Sequence, residues 1–327
     1  MGKIIDGKLL ASVEEEGLKK RLINTAKKPL IYSILIGEDP ASVLYTNRKQ
    51  AKAAELGINF QPLKFSEDIS FEEVSAKIKE LNEDLEVTGI MIQLPIPKKV
   101  LGTHSKFDLL ELIDPKKDID GLNPKGDIFM SATVKGVIKI LESVLLSEAA
   151  ASEKCLHEMG NTPGVLAPLG EKNLLRMQGI SDELRDSSAL PQNDSEKQDS
   201  GQARMTEWWK KEVFAVVGSE GEVGKPLVKA LIKKGAEQII GVDKKNPESS
   251  LEDIKEADVV VSCTGVQGLI KAEMIKEGVV LIDVGMGDFH EDTYKKSSYY
   301  TPKFGGVGPM TILSLTENIL EAAQMIN

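Results

Sequence analysis

Cysteine and histidine are both scarce in this sequence. The 327-residue chain has two cysteines, Cys155 and Cys263, and three histidines. Two thiols this far apart, in segments of different character, suit a reduced cytosolic protein and not a disulfide scaffold. The histidines show no spacing typical of metal ligands, so the sequence predicts no metal site.

An excess of basic residues is also missing. The chain has 41 Lys and Arg against 51 Asp and Glu, a formal net charge of −10, which argues against general binding of nucleic acid or anionic membranes. No apolar run reaches the roughly 18 residues that a membrane helix needs. The opening MGKIIDGKLLASVEEE is too charged for a signal peptide. We therefore expect a cytoplasmic protein with no nucleic-acid or membrane partner.

Strand-like and helix-like runs alternate through two parts of the chain. In residues 1–146, short apolar runs at 29–37 and 87–97 lie among helical patterns at about 8–26, 41–56 and 70–83. Residues 207–303 repeat this order, with a strand, a glycine-rich turn, a helix and a strand over 212–243 and further strands at 257–265 and 278–287. The pattern predicts a two-domain α/β protein whose second domain is a doubly wound parallel sheet of the Rossmann type.

The segment between these parts, residues 147–206, has a different composition. It contains no Phe, Tyr or Trp, and its stretch 187–204 is almost entirely polar or turn-forming. A segment of this kind cannot bury enough apolar surface to offset the entropy of ordering. We therefore expect an atypical, disordered insertion, with one short amphipathic helix at most over 171–186. The remaining residues, 304–327, read as a glycine-rich turn followed by a helix.

The glycine-rich turn is the first candidate site. In GSEGEVG, Gly218, Gly221 and Gly224 stand between a predicted strand and a predicted helix, where glycines let the backbone approach a pyrophosphate. The alternative is a tight turn without a ligand. Asp243, at the end of the next strand, favours NAD because a carboxylate accepts hydrogen bonds from ribose hydroxyls, although two lysines follow it directly.

Two further patterns carry polar side chains that suit a small-molecule site. Tyr45 and Lys49 lie one helical turn apart and therefore share a helix face. Asp114, Asp118 and Asp120 surround a glycine turn, either as solvated loop charges or as carboxylates that grip an amino-pyrimidine ring through paired hydrogen bonds. The late turn GGVGPMT, at 305–311, suits a backbone wall close to a ligand or to another segment.

Together these motifs resemble the bifunctional methylenetetrahydrofolate dehydrogenase/methenyltetrahydrofolate cyclohydrolase family. The resemblance rests on the run from Ala41 to Lys49, on QLPIP from Gln93, on KDIDG ending in Asp120 and Gly121, and on GSEGEVGKP and GGVGPMT. It covers almost everything except 147–206. It implies an N-terminal folate domain, a Rossmann domain for the nucleotide, a final helix that packs back on the first domain, and a homodimer.

The resemblance also implies roles for particular residues. Lys49 would be the general acid/base of the cyclohydrolase step, Gln93 would hold it in position, and Tyr45 would pack against the pterin. Asp120 would bind the amino face of the pterin, and Ser42, Gly306 and Pro309 would line the tetrahydrofolate site. The nucleotide would contact Gly218, Ser219, Glu220, Gly221, Gly224, Asp243, Thr133, Thr264 and Gly265.

Departures from the family pattern keep some alternatives open. Ser219 and Glu220 stand where many members carry Arg and then Ser for the NADP 2′-phosphate, which with Asp243 slightly favours NAD over NADP. Of the family's Pro-Cys-Thr-Pro run only Thr133 is kept. One alternative is a dehydrogenase that has lost one activity. Another is a non-catalytic folate- or nucleotide-binding homologue whose insertion recruits a partner, although the intact catalytic set argues against it.

Overall fold

The computed structural model of the protein describes residues 2–25, 27–158, 205–245 and 249–325, with side chains described outside 148–158. The chain forms two compact units. Residues 15–135 and 311–327 make one, here called the three-stranded unit after its sheet, and residues 1–14 and 136–310 make the other, the six-stranded unit. In the described ranges, no helix combines the length and the apolar character that a membrane crossing requires.

The strands and helices are numbered in chain order. The strands are β1 (Lys3–Ile4), β2 (Leu30–Ile36), β3 (Asn59–Phe65), β4 (Gly89–Ile92), β5 (Val213–Val217), β6 (Gln238–Val242), β7 (Val259–Ser262), β8 (Val280–Asp283) and β9 (Tyr299–Tyr300). The helices are α1 (Gly7–Ile23), α2 (Pro40–Glu55), α3 (Phe71–Glu83), α4 (Lys98–Leu101), α5 (Lys106–Leu110), α6 (Ala132–Glu158), α7 (205–211), α8 (Gly224–Lys234), α9 (Thr293–Lys296) and α10 (Val307–Met325).

The three-stranded unit is built on a parallel sheet in the order β3-β2-β4. β2 lies in the middle, where Ile34 pairs with Leu63 on one side and with Ile92 on the other. α3 contributes apolar side chains at a helical period to the core beneath the sheet. The predicted strands at 29–37 and 87–97 are present. The second is shorter than expected because prolines at 95 and 97 lack the N–H group that a ladder needs.

The six-stranded unit holds a parallel sheet in the order β1-β9-β8-β7-β5-β6. After β5 the chain crosses through α8 to β6 on one side and then returns to β7 on the other side. The strand order therefore reverses between β5 and β7, which is where ligands bind in open α/β sheets. This arrangement confirms the predicted doubly wound parallel sheet.

The compact units divide the chain differently from the predicted segments. β1 pairs in parallel with β9, with Lys3 opposite Tyr299 and Ile4 opposite Tyr300, so the first residues add a strand to the six-stranded sheet. A two-residue strand has too little periodicity to be read from sequence. At the other end of the chain, residues 311–327 belong to the three-stranded unit.

α6 extends further than expected. It continues to Glu158, so the beginning of the segment 147–206 is helical and not irregular. The run SEAAASEK at 147–154 explains the difference, because alanine, glutamate and lysine are strong helix formers. The expected helix at 171–186 and the polar stretch 187–204 lie outside the described residues.

Candidate active site

The beginning of α2 is fixed by a cap and by a contact with the segment after β4. Asp39 accepts a hydrogen bond from the Ser42 amide at 2.8 Å, and Pro40 occupies the first helical position, where its missing N–H costs nothing. The Ser42 hydroxyl, which is buried, donates to the Leu94 carbonyl at 3.2 Å. These bonds set the position of the helix face that carries Tyr45 and Lys49.

The Lys49 ammonium lies between two acceptors. Its Nζ is 3.4 Å from Gln93 Oε1 and 3.7 Å from Asp120 Oδ2. The Lys49 and Asp120 side chains are only 11% and 15% exposed, so the charges meet in a largely desolvated place. Gln93 donates its Nε2 to the Leu94 carbonyl at 3.1 Å, which turns its oxygen towards Lys49. Three sequence-predicted residues are thus brought together from α2, from the end of β4 and from a later loop.

Tyr45 lies one turn before Lys49 on α2. The guanidinium carbon of Arg48 is 6.0 Å from the centre of its ring. The ring is half-buried. Tyr45 therefore offers an aromatic surface on the same helix as the lysine.

The Asp120 carboxylate is held by the turn in which it lies. Gly121 has a φ of 65°, and a Cβ built on it would lie 2.6 Å from the Ser131 nitrogen, so only glycine fits the close approach of the two backbones. Asp118, two residues earlier, accepts from the Asn123 amide at 2.8 Å and closes the turn from inside. Burial raises the pKa of Asp118 to about 6, and the neighbouring Asp120 adds to the shift.

Asp114, the third of the predicted acids, caps a turn. Asp114 Oδ1 accepts from the Lys116 amide at 2.9 Å, which is the geometry of a turn cap. Its own amide donates to Asn82 Oδ1 at 3.0 Å. Of the three acids, Asp120 is the one paired with Lys49.

Asn318, on α10, was not predicted from the sequence. Its side chain is fully buried, and its Nδ2 donates to the Ile119 carbonyl at 2.9 Å and to the Met130 carbonyl at 3.0 Å. It therefore ties both ends of the Asp120 loop to α10. The sequence feature that could have identified Asn318 is the run of polar residues in an otherwise apolar helix. In the structure these polar residues are buried, at Ser314, Thr316, Glu317 and Asn318.

The glycine-rich turn in the six-stranded unit has the geometry of a phosphate cradle. Gly218 has a φ of 86° and donates its amide to the Val242 carbonyl at 2.7 Å. The Gly221 amide donates to Gly218 at 2.9 Å, and a Cβ on Gly224 would lie only 2.0 Å from the Gly218 oxygen. Only glycine allows the start of α8 to pack this closely on the turn, and a glycine turn that leads into a helix N-terminus is a fold that suits a pyrophosphate.

Asp243 lies at the end of β6 beside this turn. Its Oδ2 accepts from the Glu220 amide at 3.1 Å and its Oδ1 from the Lys245 amide at 2.9 Å. Hydrogen bonds lower the pKa of Asp243, and the bond from the Lys245 amide contributes most. The group is therefore an anion at neutral pH. The Glu220 side chain lies 3.8 Å from Lys225 Nζ, and Ser219 is buried.

The remaining predicted residues lie at three places. Thr264 and Gly265 follow β7, where the Thr264 amide and hydroxyl both donate to Asp288 at 2.8 Å. Gly306 and Pro309 lie at the start of α10, in the six-stranded unit. Thr133 is near the start of α6 and belongs to the three-stranded unit, unlike the other residues predicted to contact the nucleotide.

Comparisons with known proteins identify the family of this chain. The catalytic-domain model of the tetrahydrofolate dehydrogenase/cyclohydrolase family matches residues 5–120, and its NAD(P)-binding-domain model matches residues 203–327. The bifunctional protein FolD of Lactobacillus helveticus is 31% identical, with 100% of this chain and 99% of that protein covered. The protein of that name from Mycoplasma mycoides is 32% identical, with 96% and 94% covered.

Solved structures give the same result. The bifunctional FolD methylenetetrahydrofolate dehydrogenase/cyclohydrolase of Campylobacter jejuni is 27% identical, with a TM-score of 0.73 and 99% of each chain covered. A 5,10-methylenetetrahydrofolate dehydrogenase from the silkworm Bombyx mori is 26% identical, with a TM-score of 0.70 and 99% of each chain covered. This chain belongs to the tetrahydrofolate dehydrogenase/cyclohydrolase family.

Proposed function

We propose that this chain carries out two consecutive reactions of one-carbon folate metabolism. It oxidises 5,10-methylene-tetrahydrofolate to the 5,10-methenyl compound with a nicotinamide nucleotide, and it hydrolyses that compound to 10-formyl-tetrahydrofolate. The observation that carries the proposal is the Lys49 ammonium, held 3.4 Å from Gln93 and 3.7 Å from Asp120 in a largely desolvated place.

Lys49 is the proton carrier of the hydrolysis. As water adds to the bridging carbon, Lys49 takes up one proton from that water. The bond between this carbon and N5 then breaks, the hydroxyl proton leaves as the carbonyl forms, and N5 takes up a proton, so one proton is released in total. Gln93 keeps the lysine within reach of the water, which is what a general acid/base requires.

Asp120 and Tyr45 position the folate. A carboxylate can accept two hydrogen bonds from the amino-pyrimidine part of the pterin, and the Gly121 turn keeps it at one place. The Tyr45 ring packs against the pterin face, and Ser42 supports the segment after β4.

A bound nicotinamide nucleotide would supply the hydride acceptor for the oxidation of the folate. The chain supplies binding and orientation. The start of α8 would hold the pyrophosphate through its backbone N–H groups, and Gly218, Gly221 and Gly224 let the backbone of the turn come close to it. Ser219, Glu220, Thr264 and Gly265 would contact the rest of the molecule.

NAD is the preferred nucleotide in this proposal. Asp243 is an anion at the position that meets the adenine ribose, where a carboxylate accepts from two hydroxyls and repels a 2′-phosphate. We expect a higher kcat/KM with NAD than with NADP. Asp243→Ser should narrow the difference, whereas Glu237→Ser, which removes an acid from the opposite end of β6, should leave it unchanged. A parent enzyme that prefers NADP by tenfold, about 1.4 kcal/mol, would show that Lys244 and Lys245 decide the preference instead.

The predicted arrangement completes the proposal. The three-stranded unit holds the folate, the six-stranded unit holds the nucleotide, and the protein acts in the cytoplasm as a homodimer. The buried Asn318 contacts support α10 as part of the folate-binding unit.

The proposal is tested by mixing the protein with methylene-tetrahydrofolate and either nucleotide and following absorbance at about 340 nm, where the reduced nicotinamide absorbs. We expect a rise with at least one nucleotide, together with formation of 10-formyl-tetrahydrofolate. No rise with either nucleotide would instead favour a folate- or nucleotide-binding protein without catalysis.

A further inference from the structure

We propose that Asp288 is a positioning residue that orders the turn of Thr264 and Gly265 for the nucleotide. The inference rests on the proposed nucleotide binding and deepens it. Asp288 follows β8, and its side chain is fully buried. Nothing in its sequence context, GMGDFH, distinguishes it from an ordinary loop acid.

One oxygen of Asp288 accepts hydrogen bonds from the end of β7 and from the loop that follows it. Its Oδ2 accepts from the Ser262 hydroxyl at 2.6 Å, from the Thr264 amide and hydroxyl at 2.8 Å each, and from the Gly265 amide at 3.2 Å. A buried anion that accepts several hydrogen bonds holds its donors firmly, because each bond to a charged group is stronger than a neutral one. The conformation of the turn therefore depends on this one carboxylate.

Asp288 also decides which side of Thr264 faces the glycine-rich turn. With its hydroxyl held by Asp288, Thr264 turns its methyl group towards Gly218, where a built Cβ would lie 3.4 Å from Thr264 Cγ2 and 3.2 Å from the Cys263 oxygen. The loops after β5 and β7 are thus in contact where the strand order reverses. Loss of the Asp288 acceptor would free Thr264 to rotate beside the pyrophosphate cradle.

The backbone around Asp288 is adapted to place it there. A Cβ on Gly285 would lie 2.2 Å from Asp288 Oδ1, Met286 has a φ of 65°, and the Gly287 amide donates to Asp283 Oδ2 at 2.7 Å. A non-glycine residue in the left-handed region costs free energy and persists only where the surroundings enforce it. Asp288 Oδ1 has no hydrogen-bond partner among the described residues. The contacts of this carboxylate with the loop after β7 therefore all run through Oδ2.

The geometry also defines the chemistry that this turn meets. The amides of Thr264 and Gly265 point inwards to Asp288 and are not available to a phosphate. The turn is left with its carbonyl oxygens, which accept hydrogen bonds. The part of the nucleotide that it contacts is therefore a donor, a ribose hydroxyl or the carboxamide, and not a phosphate.

The test is calorimetric titration of the full-length protein with NAD and with NADP, in the parent and in Asp288→Asn. The variant keeps the shape and one oxygen but loses the charge, and we expect nucleotide affinity to fall on the order of tenfold. Hydrolysis of methenyl-tetrahydrofolate without nucleotide should stay at the parent rate. Asp258→Asn is the matched control, because Asp258 accepts from the Val213 amide at the amino-terminal ends of β5 and β7, away from the Asp288 loop.

A second variant keeps the proposal testable if Asp288→Asn does not fold. Thr264→Val removes the hydroxyl bond to Asp288 and keeps the shape of the side chain, and it should also weaken nucleotide binding. In the double variant the two losses should not add. Unchanged nucleotide affinity in the folded variants, an equal loss in Asp258→Asn, or a parallel fall in methenyl hydrolysis would each overturn the proposal. A parent that binds nucleotide but hydrolyses nothing would contradict the proposed hydrolysis and leave the calorimetric test intact.

Discussion

Asp118 and Asp120 are separated by one residue, yet their carboxyl groups have different surroundings. Asp120 faces the Lys49 ammonium, whereas Asp118 is 4% exposed and turned into the loop. Charging Asp118 is therefore costly, and burial raises its pKa from the ordinary 3.8 of an aspartate to about 6. The residue that shapes the turn and the residue that would meet the substrate are distinct.

This difference predicts a pH dependence of stability. The folded state binds a proton on Asp118 more tightly than the unfolded state does. The stability that this protonated carboxyl contributes is therefore fully present below about pH 4 and is lost as the pH rises through about 6. Asp118→Asn stays neutral and keeps an acceptor for the Asn123 amide. The free energy of unfolding of the variant, relative to the parent, should therefore increase across this range by up to roughly 3 kcal/mol.

Urea denaturation between about pH 4 and 7 measures this difference. Asp39→Asn is the control. Hydrogen bonds from Ser42, most of all from its amide, lower the pKa of Asp39. Because the Asp39 carboxyl stays charged above pH 5, the difference in unfolding free energy between Asp39→Asn and the parent should not change with pH in that range. An equally flat profile for Asp118→Asn would show that Asp118 is ionised in the folded protein.

At the scale of elements, the strand–turn–helix of β5, Gly218 and α8 leaves no room for a side chain at Gly224. A Cβ on Gly224 would lie 2.0 Å from the Gly218 oxygen and 2.8 Å from the Ser219 Cα. Gly224→Ala should push the start of α8 away from the turn and reduce nucleotide affinity by roughly tenfold or more, because the backbone can then no longer approach the pyrophosphate.

Calorimetric titration with NAD and NADP checks this prediction. Gly17→Ala is the matched control, because a Cβ on this α1 glycine would meet nothing within 4 Å. It should bind nucleotide normally and gain about 0.5–1 kcal/mol of stability from the better helix former. Normal nucleotide binding by Gly224→Ala would show that the cradle does not hold the pyrophosphate.

Elements with strong local patterns could be predicted, and those that depend on distant partners could not. The apolar run at 29–37 gave β2, and the spacing of Tyr45 and Lys49 placed both on α2. β3 was missed because NFQPLKF alternates irregularly and contains a proline. No local pattern could show that Asn318 bonds to Ile119 and Met130, nearly two hundred residues earlier in the chain. The roles of the site residues stay predictions.

For the whole molecule, the segment between the two family-matched ranges provides a test of modularity. We expect that replacing residues 159–202 with a short Gly/Ser linker leaves a folded protein, because the entropic cost of closing a connecting segment changes slowly with its length. Nucleotide affinity and methenyl hydrolysis should stay within roughly twofold of the parent. An insoluble or inactive product would show that the segment contributes to the fold or to a site.

The central claim is that Lys49, held by Gln93 and Asp120, carries protons in the hydrolysis. The most direct measurement is the rate of methenyl-tetrahydrofolate hydrolysis by Lys49→Ala, with folate affinity determined on the same preparation. Lys52→Ala is the matched control, since Lys52 lies on the same helix and pairs with Glu15 at 2.8 Å and Glu55 at 2.7 Å. We predict a loss of about 10²–10⁴-fold for Lys49→Ala with folate affinity retained, and a near-parent rate for Lys52→Ala. Hydrolysis by Lys49→Ala at the parent rate would contradict the account.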